Sequence, residues 1–248
     1  MRLLHFRNGE LNLTSDYIHD LPPYAILSHT WGIDGDEVTF QDLVNNTGGD
    51  KPGYRKILFC GEQAKCDGLE YFWVDTCCID GGSSVELTEA INSMFRWYQN
   101  AAYCYVYLSD VSTGSDQALD SWETQFWQSR WFTRIWTLQD LIAPQTVRFF
   151  SVEGYLLGDK QSLEQLIHDI TGLPTRILRG CQLSEFSIAE RCSWAKNRRA
   201  SRPEDKAYCL LGILGISMVL QYGEGEEGAF RTLRREIMFH YNVDLGKC

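Results

Sequence analysis

An indole and a carboxylate lie one helical turn apart in residues 129–144, SRWFTRIWTLQDLIAP. Trp136 precedes Asp140 by four positions, so on a helix the two side chains would share one part of the surface. A carboxylate beside an aromatic wall could stabilise a positive charge that develops in a bound molecule. The alternative is that the carboxylate and the indole are both exposed to solvent and form no site. The spacing alone favours this simpler interpretation.

An apolar stripe in the same segment indicates which side of the predicted helix meets the core. Its members recur at helical spacing, and they are Trp131, Ile135, Leu138 and Ile142. At about 100° per residue, Asp140 lies roughly 170° from this stripe, so we predict that it points away from the core. Arg134 could pair with a phosphate or a carboxylate, because a guanidinium makes paired hydrogen bonds. A salt bridge to one of the chain's many acids is the simpler alternative.

Four short apolar segments have the composition of strands, and two amphipathic segments between them have the spacing of helices. The strands are predicted at residues 24–28, 71–75, 103–108 and 146–150. The helices are predicted at about residues 54–68 and 85–102. Alternation of strand and helix favours an α/β fold with a parallel sheet and helices on both faces.

Polar and aromatic side chains follow the predicted strands. Ser28, His29 and Trp31 come at the end of the first strand, and Asp75 ends the second. In open α/β sheets, ligands bind beyond the carboxyl ends of the strands, so we predict that these residues contribute to a site. Strand ends are commonly polar, however. Asp75 could equally cap the following helix, and a single histidine such as His29 more often makes a structural hydrogen bond.

Helical periodicity dominates residues 151–242, which we predict to pack on the sheet as a helical extension. Residues 243–248 are predicted to be a tail. The basic run at 196–202 is expected to be a solvated helix end, with a phosphate clamp or a docking patch for a partner as alternatives. Residues 222–225, Tyr-Gly-Glu-Gly, predict a turn, because they lack the spacing and the lysine of a phosphate-binding loop.

The charge and the cysteine content exclude several classes of protein. The formal net charge is −10, which disfavours nucleic acid and anionic membranes as partners, because binding to phosphates needs a basic surface. No run approaches the ~18 apolar residues of a membrane span. The nine cysteines form no Cys-x-x-Cys pattern and the five histidines are scattered, so we expect reduced thiols, no metal site and a cytoplasmic protein. The adjacent Cys77 and Cys78 are expected to be buried rather than reactive.

Six blocks of the sequence are together similar to a known family. They are YAILSHTWG (24–32), FWVDTCCID (72–80), EAINSMFRWY (89–98), SRWFTRIWTLQDLIAP (129–144), RPEDKAYCLLGI (202–213) and YGEG (222–225). They resemble the fungal heterokaryon incompatibility (HET) domain, most closely the one that precedes a nucleotide-binding STAND module and WD repeats in large incompatibility proteins. Those further parts would lie outside the present sequence. The resemblance implies a single domain over residues 1–242, with an α/β core at about 1–150 and a helical extension at about 151–242.

The resemblance implies a role in non-self recognition, in which self-associating HET domains trigger programmed cell death when incompatible fungal cells fuse. HET domains have been proposed as distant relatives of TIR domains, whose fold is a flavodoxin-like parallel sheet. Many TIR domains cleave NAD+ with the glutamate of a Trp-x-x-x-Glu element, and the matching pair here is Trp136 and Asp140.

This chain departs from the family pattern Arg-Gly-Trp-Thr-Leu-Gln-Glu at two positions, since it has Ile135 for the glycine and Asp140 for the glutamate. Aspartate shortens the reach of the carboxylate by about 1.5 Å, and a misplacement of about 1 Å can cost roughly 10²-fold in rate. The resemblance therefore predicts either a weakened activity or a pocket that has shifted to fit the shorter side chain.

These implications give a specific chemical hypothesis. Nicotinamide carries a formal positive charge in NAD+, so it leaves as a neutral molecule without an acid, and one carboxylate can stabilise the oxocarbenium-like transition state. Asp140 is the candidate catalytic residue. The candidate substrate-binding residues are Ser28, His29, Trp31, Asp75, Arg134 and Trp136. NAD+ or a related nucleotide is the expected substrate, and no separate cofactor is expected. The alternative is a module without enzymatic activity that signals through homotypic interaction.

Overall fold

A seven-stranded sheet forms the centre of the structure, a computed structural model that describes residues 1–114 and 121–242. The predicted tail at 243–248 lies outside the described residues. The strands are β1 (Leu4–Arg7), β2 (Glu10–Leu13), β3 (Tyr24–His29), β4 (Tyr71–Trp73), β5 (Tyr103–Tyr107), β6 (Val147–Phe150) and β7 (Leu156–Asp159).

Helices flank the sheet, and in the second half of the described chain they contain many more residues than the strands do. They are α1 (Phe40–Val44), α2 (Tyr54–Cys66), α3 (Asp75–Cys78), α4 (Ser84–Asn100), α5 (Trp122–Gln128), α6 (Thr137–Ile142), α7 (Glu164–Thr171), α8 (Thr175–Leu178), α9 (Ile188–Ser193), α10 (Asp205–Tyr208), α11 (Leu211–Leu214) and α12 (Gly225–Tyr241). Short 3-10 turns occur at Arg130–Thr133 and Leu183–Glu185. Within the described ranges, no helix combines the length and the apolar composition that crossing a membrane requires.

Four parallel strands occupy the middle of the sheet. The order across the sheet is β2-β1-β4-β3-β5-β6-β7, and β4, β3, β5 and β6 run parallel to one another. Counted along the chain, these four strands stand in the order second, first, third, fourth, which is the flavodoxin type of doubly wound sheet. The predicted α/β fold is confirmed, and each of the four predicted strands is present.

Both edges of the sheet are antiparallel, which the sequence analysis did not predict. β1 and β2 form a hairpin, and β1 also pairs with β4. At the other edge, β7 pairs antiparallel with β6. Each of the three added strands has only four residues and is partly exposed. They therefore lack the continuous apolar runs that identify buried parallel strands in a sequence.

Two neighbouring residues of β4 show how helices cover both faces of the sheet. Phe72 lies against α2, where a Cβ added to Gly61 would come within 2.9 Å of the Phe72 ring. Trp73 must point to the opposite face, and its ring packs on Tyr98 of α4 with centroids 6.1 Å apart. Because both faces are covered, all six residues of β3 are buried.

The helical second half packs on α4. Asn92 binds the backbone of Met218 twice, because its Nδ2 donates to Met218 O at 2.9 Å and its Oδ1 accepts from Met218 N at 3.0 Å. Gly212 of α11 lies so close to Phe95 that an added Cβ would meet the Phe95 Cβ at 2.0 Å. The mostly helical C-terminal part that the sequence predicts is confirmed.

Residues 222–225 form a turn that is bound to α10. Glu204 Oε1 accepts hydrogen bonds from Gly223 N at 2.8 Å and from Gly225 N at 3.0 Å. Both glycines have positive φ, a conformation that side chains disfavour. Two of the blocks that carry the family resemblance, 202–213 and 222–225, therefore join α10 to the start of α12.

Replacing Gly212 by alanine should destabilise the protein, because the added methyl group has no room beside Phe95. We expect a loss of about 1–3 kcal/mol in the free energy of unfolding, measured by urea denaturation. Gly81→Ala is the matched control, since nothing lies within 4 Å of a Cβ placed there. Equal stabilities of the two variants would contradict the close packing of α11 on α4.

Candidate functional site

Asp140 lies in the interior of the protein, and the prediction that it points away from the core is wrong. The residue is 6% exposed. Residues 129–144 are not one helix, because Arg134 is extended, at φ −78° and ψ 140°, between the 3-10 turn and α6. This break removes the angular relation between the apolar stripe and Asp140. All six residues of α6 are buried, since it packs against β3, α4 and α8.

Two hydrogen bonds at Ser28, near the end of β3, connect this strand to Asp140 and to Trp131. The Ser28 hydroxyl donates to Asp140 Oδ2 at 2.6 Å, and the Trp131 indole N–H donates to Ser28 Oγ at 2.8 Å. All three side chains are buried. A serine hydroxyl has one proton to donate and can accept in return, so Ser28 links the 3-10 turn to α6 through the central strand.

Burial raises the pKa of the Asp140 carboxyl to about 8, and the nearby charge of Asp75 adds to this rise. Hydrogen bonds from Ser28 and Tyr98 and the charge of Arg198 act in the opposite direction. The charged form of a buried carboxyl is disfavoured because it has lost its hydration. Asp140 is therefore mostly protonated at pH 7.

Lys160 binds the carboxyl end of α6. It is 4% exposed, and its Nζ donates to Pro144 O at 2.6 Å and to Leu141 O at 3.3 Å. Burial lowers the pKa of Lys160 to about 8. The last carbonyls of a helix have no partners within it, so a donor at this end is favourable. Lys160 thus fixes the position of the helix that carries Asp140.

Arg198 binds the beginning of α6, and for this residue the prediction of a solvated helix end at 196–202 is wrong. The Arg198 side chain is buried, and its Nη1 donates to Arg134 O and to Thr137 Oγ1, both at 3.0 Å. The other basic side chains of the run are exposed, as predicted. Arg198 and Lys160 therefore hold α6 from its two ends.

Three of the predicted site residues meet beyond the end of β3. The Trp31 indole N–H donates to Asp75 Oδ2 at 3.0 Å, while Asp75 Oδ1 accepts from Thr76 N at 2.8 Å in the first turn of α3. Asp75 thus contacts both its own helix and the loop after β3. His29 lies between two acids, with Nδ1 3.9 Å from Asp75 Oδ1 and Nε2 3.6 Å from Glu37 Oε2.

Arg134 and Trp136 bind to the helical part of the protein. Arg134 Nη2 donates to Ser201 Oγ at 2.7 Å, so its partner in the structure is a hydroxyl rather than an acid. The Trp136 side chain is half-buried and hydrogen-bonds to Asp205 at the start of α10. The structure therefore does not bring these two residues into the hydrogen-bonded group around Ser28, and their role in a site stays a prediction.

An open cleft of about 610 Å³ lies beyond the carboxyl ends of β3 and β5, a volume typical of small-molecule sites. These two strands are neighbours, yet the chain leads from β3 to α2 and from β5 towards α6, on opposite faces of the sheet. Doubly wound sheets bind ligands at such a point. Four basic residues line the cleft, and they are Lys51, Arg55, Lys56 and Arg130.

The sequence analysis did not identify the cleft, and none of the seven predicted site residues lines it. Thr30 and Arg130 line it, however, and they adjoin His29 and Trp131 in the chain, so the cleft begins one residue away from the group around Ser28. The signal in the sequence is weak. It consists of a polar, glycine-rich segment at 32–53 that runs into the predicted helix.

Two of the four basic side chains in the cleft are hydrogen-bonded to carboxylates. Lys51 Nζ donates to Asp42 Oδ2 at 2.6 Å, and Lys56 Nζ donates to the carboxylate of Glu37. Burial alone would raise the pKa of Glu37, but its contacts, chiefly with His29 and Lys56, lower it to about 2. These ion pairs hold the loop that follows β3 against the start of α2.

Comparison with known proteins identifies the family. The family model for heterokaryon incompatibility protein (HET) matches residues 24–122. The chain is also 54% identical over 241 residues, 96% of its length, to the vegetative incompatibility protein HET-E-1 of Podospora anserina. The chain belongs to the HET family. It spans only 18% of the length of HET-E-1, and no solved structure matches this HET domain.

The family match separates the residues of this HET domain into two groups. It includes Ser28, His29, Trp31 and Asp75, together with Lys51, Arg55 and Lys56 of the cleft. It ends before Arg130 and before α6, which carries Asp140. The cleft therefore falls mostly within the matched segment, whereas the buried acid lies outside it.

Replacing Asp140 by asparagine should change how stability depends on pH. The Asp140 pKa rises from 3.8 when unfolded to about 8 when folded, so its stabilising contribution is complete below pH 3.8 and is lost as the pH rises through 8. Asparagine has no such dependence. Between pH 5 and pH 8, wild type should lose up to about 1.4 kcal/mol per pH unit relative to Asp140→Asn, measured by urea denaturation.

The exposed Asp169 supplies the control, since Asp169→Asn removes a carboxyl from the surface and should leave the pH profile parallel to that of wild type. If the Asp140→Asn profile also ran parallel to that of wild type, the Asp140 carboxyl would not hold its proton in the folded state.

Proposed function

We propose that this HET domain binds NAD+ in the cleft and hydrolyses the bond between nicotinamide and ribose, and that this reaction triggers the fungal incompatibility response. The observation that supports the proposal most strongly is the position of the cleft. It lies where the strand order of a flavodoxin-type sheet reverses, the place where such sheets bind nucleotides. Its four basic side chains stand out on a chain of net charge −10.

The reaction makes modest demands on the protein. The bond between C1 of the ribose and the nicotinamide nitrogen breaks, and its electrons leave with the ring, which departs neutral. Water then adds to the ribose cation and releases a proton, giving ADP-ribose. Because the transition state resembles an oxocarbenium ion, a single ionised carboxylate near the ribose can stabilise it.

Asp140 is the proposed carboxylate. It does not line the cleft, so a rearrangement must bring it to the ribose, and its environment sets two further conditions on the reaction. Its Oδ2 is occupied by the Ser28 hydroxyl, so it must exchange this partner for a ribose hydroxyl. Its pKa of about 8 means that the ionised form grows as the pH rises toward 8. We infer that self-association of HET domains drives this exchange of hydrogen-bond partners, and that the single chain has almost no activity.

The burial of Asp140 also favours a second candidate function. A residue that is 6% exposed and bonded to its own protein is well explained as a part of the core. In that case the HET domain would act without catalysis, through homotypic interaction that recruits partners. Cell killing would then follow the extent of self-association and would not depend on the identity of residue 140.

The decisive experiment measures nicotinamide and ADP-ribose released from NAD+ by the chain, alone and when fused to an oligomerising tag. We expect release from the clustered wild type, rising between pH 6 and pH 8. Asp140→Ala should lower the rate roughly 10²–10³-fold, the usual loss when a group that stabilises the transition state is removed. Asp140→Glu should retain activity, because it keeps the carboxylate.

Asp169→Asn is the control for a general effect of charge, and circular dichroism verifies that each variant is folded. Full turnover by Asp140→Ala would exclude Asp140 as the stabilising carboxylate while leaving the enzyme proposal in place. No nicotinamide from clustered wild type or clustered Asp140→Glu would overturn the enzyme proposal in favour of the interaction module.

A further inference from the structure

Two arginines on different walls of the cleft differ from the two lysines beside them. Arg55 lies in the first turn of α2, and Arg130 begins the 3-10 turn that leads to Trp131. Whereas Lys51 and Lys56 are paired with carboxylates, Arg55 is exposed and forms no ion pair within the described residues. The cleft therefore presents a cation without a counter-charge.

Arg130 has one acidic neighbour, Asp110, at the distance of a long ion pair. Its side chain is 63% exposed, and its Nε is 3.7 Å from Asp110 Oδ2, which is too long for a hydrogen bond. Asp110 already accepts a hydrogen bond from Ser129 Oγ at 2.7 Å and one from the Arg130 backbone N at 2.8 Å. The guanidinium of Arg130 is thus available to an anion in the cleft.

The acids around the cleft are directed to other partners. Asp36 Oδ2 accepts from Ile33 N at 3.1 Å. Glu37 accepts from Lys56 and from Gly32 N, the latter at 2.7 Å. These contacts hold the loop after β3 in place, and the Lys56 ammonium offsets the charge of Glu37. Asp36 keeps its charge, but among the described residues that line the cleft it is the one acid against four basic side chains. An anion entering the cleft would therefore meet the two arginine head groups.

We propose that Arg55 and Arg130 together bind the pyrophosphate group of a nucleoside-diphosphate ligand in this cleft. A guanidinium forms paired, charge-assisted hydrogen bonds with phosphate oxygens, and a pyrophosphate can present oxygens to two such groups at once. The volume of about 610 Å³ leaves room for the attached sugar and base. The inference rests on the proposed function in taking the cleft as the nucleotide site, and it names the groups that hold the phosphates.

Lys51 and Lys56 have a different role in this proposal. Their ammonium groups are used to bind Asp42 and Glu37, so they shape the cleft rather than contact the ligand. Their removal would take the cationic partner from two half-buried carboxylates and would disturb the loop. The test therefore changes only the arginines, because within the described residues Arg55 forms no ion pair and Arg130 forms only the long one with Asp110.

The test is isothermal titration of the 248-residue chain with ADP-ribose, inorganic pyrophosphate and adenosine. ADP-ribose and pyrophosphate should bind, and adenosine should bind much more weakly. Arg55→Gln and Arg130→Gln should each weaken ADP-ribose binding roughly tenfold or more, the usual effect of losing a hydrogen bond to a charged group. Arg55→Lys should lie between wild type and Arg55→Gln, because it keeps the charge and loses the paired geometry.

Arg96→Gln is the matched control, since Arg96 is exposed on α4 and lies outside the lining of the cleft. It should bind ADP-ribose like wild type. The proposal would be overturned if ADP-ribose failed to bind wild type, or if it bound both cleft variants as tightly as the Arg96 variant. Equal affinity for adenosine and ADP-ribose would also overturn it, because recognition would then not involve the phosphates.

Failure of this inference and failure of the proposed hydrolysis give different results. Binding of ADP-ribose that depends on both arginines, without release of nicotinamide from NAD+, would support the phosphate site and reject the hydrolysis. Release of nicotinamide that depends on Asp140 but is unchanged in Arg55→Gln and Arg130→Gln would support the hydrolysis and reject the phosphate site.

Discussion

One buried hydroxyl organises the middle of this HET domain. Ser28, at the end of the central strand β3, donates to Asp140 and accepts from Trp131, two residues more than a hundred positions away in the chain. A buried polar group without a partner costs about 1–3 kcal/mol, so this contact fixes the distance between β3 and α6. Lys160 and Arg198 then hold the ends of the same helix, and the two halves of the chain meet there.

The protein separates a neutral interior acid from charged groups at the rim of the sheet. Asp140 keeps its proton because its surroundings exclude water, whereas Glu37, in contact with His29 and Lys56, is ionised. The first arrangement favours a tightly packed core, and the second holds a loop against a helix. A ligand in the cleft would thus meet fixed charges, whereas Asp140, which does not line the cleft, would contact the ligand only after a rearrangement.

The sequence was sufficient for the parallel part of the fold, because buried strands such as β3 consist of continuous apolar runs and α4 has a regular stripe. It was insufficient for β1, β2 and β7, which are short and partly exposed. It also placed Asp140 on the wrong side, since no pattern revealed the extended residue Arg134 within an apparently continuous helix. The cleft could not be found because its walls come from segments that only the sheet brings together.

The order of the strands has a consequence for how this family is delimited. The family match ends at residue 122, after β5 but before β6. A fragment cut at that point would keep the pairing of β5 with β3 but would lose β6 from its other side, and an unpaired apolar edge of this kind promotes aggregation. The fragment would also lose α6, so the Ser28 hydroxyl would no longer have Asp140 as its hydrogen-bond acceptor. The segment that the family model matches is therefore too short to form the complete sheet by itself.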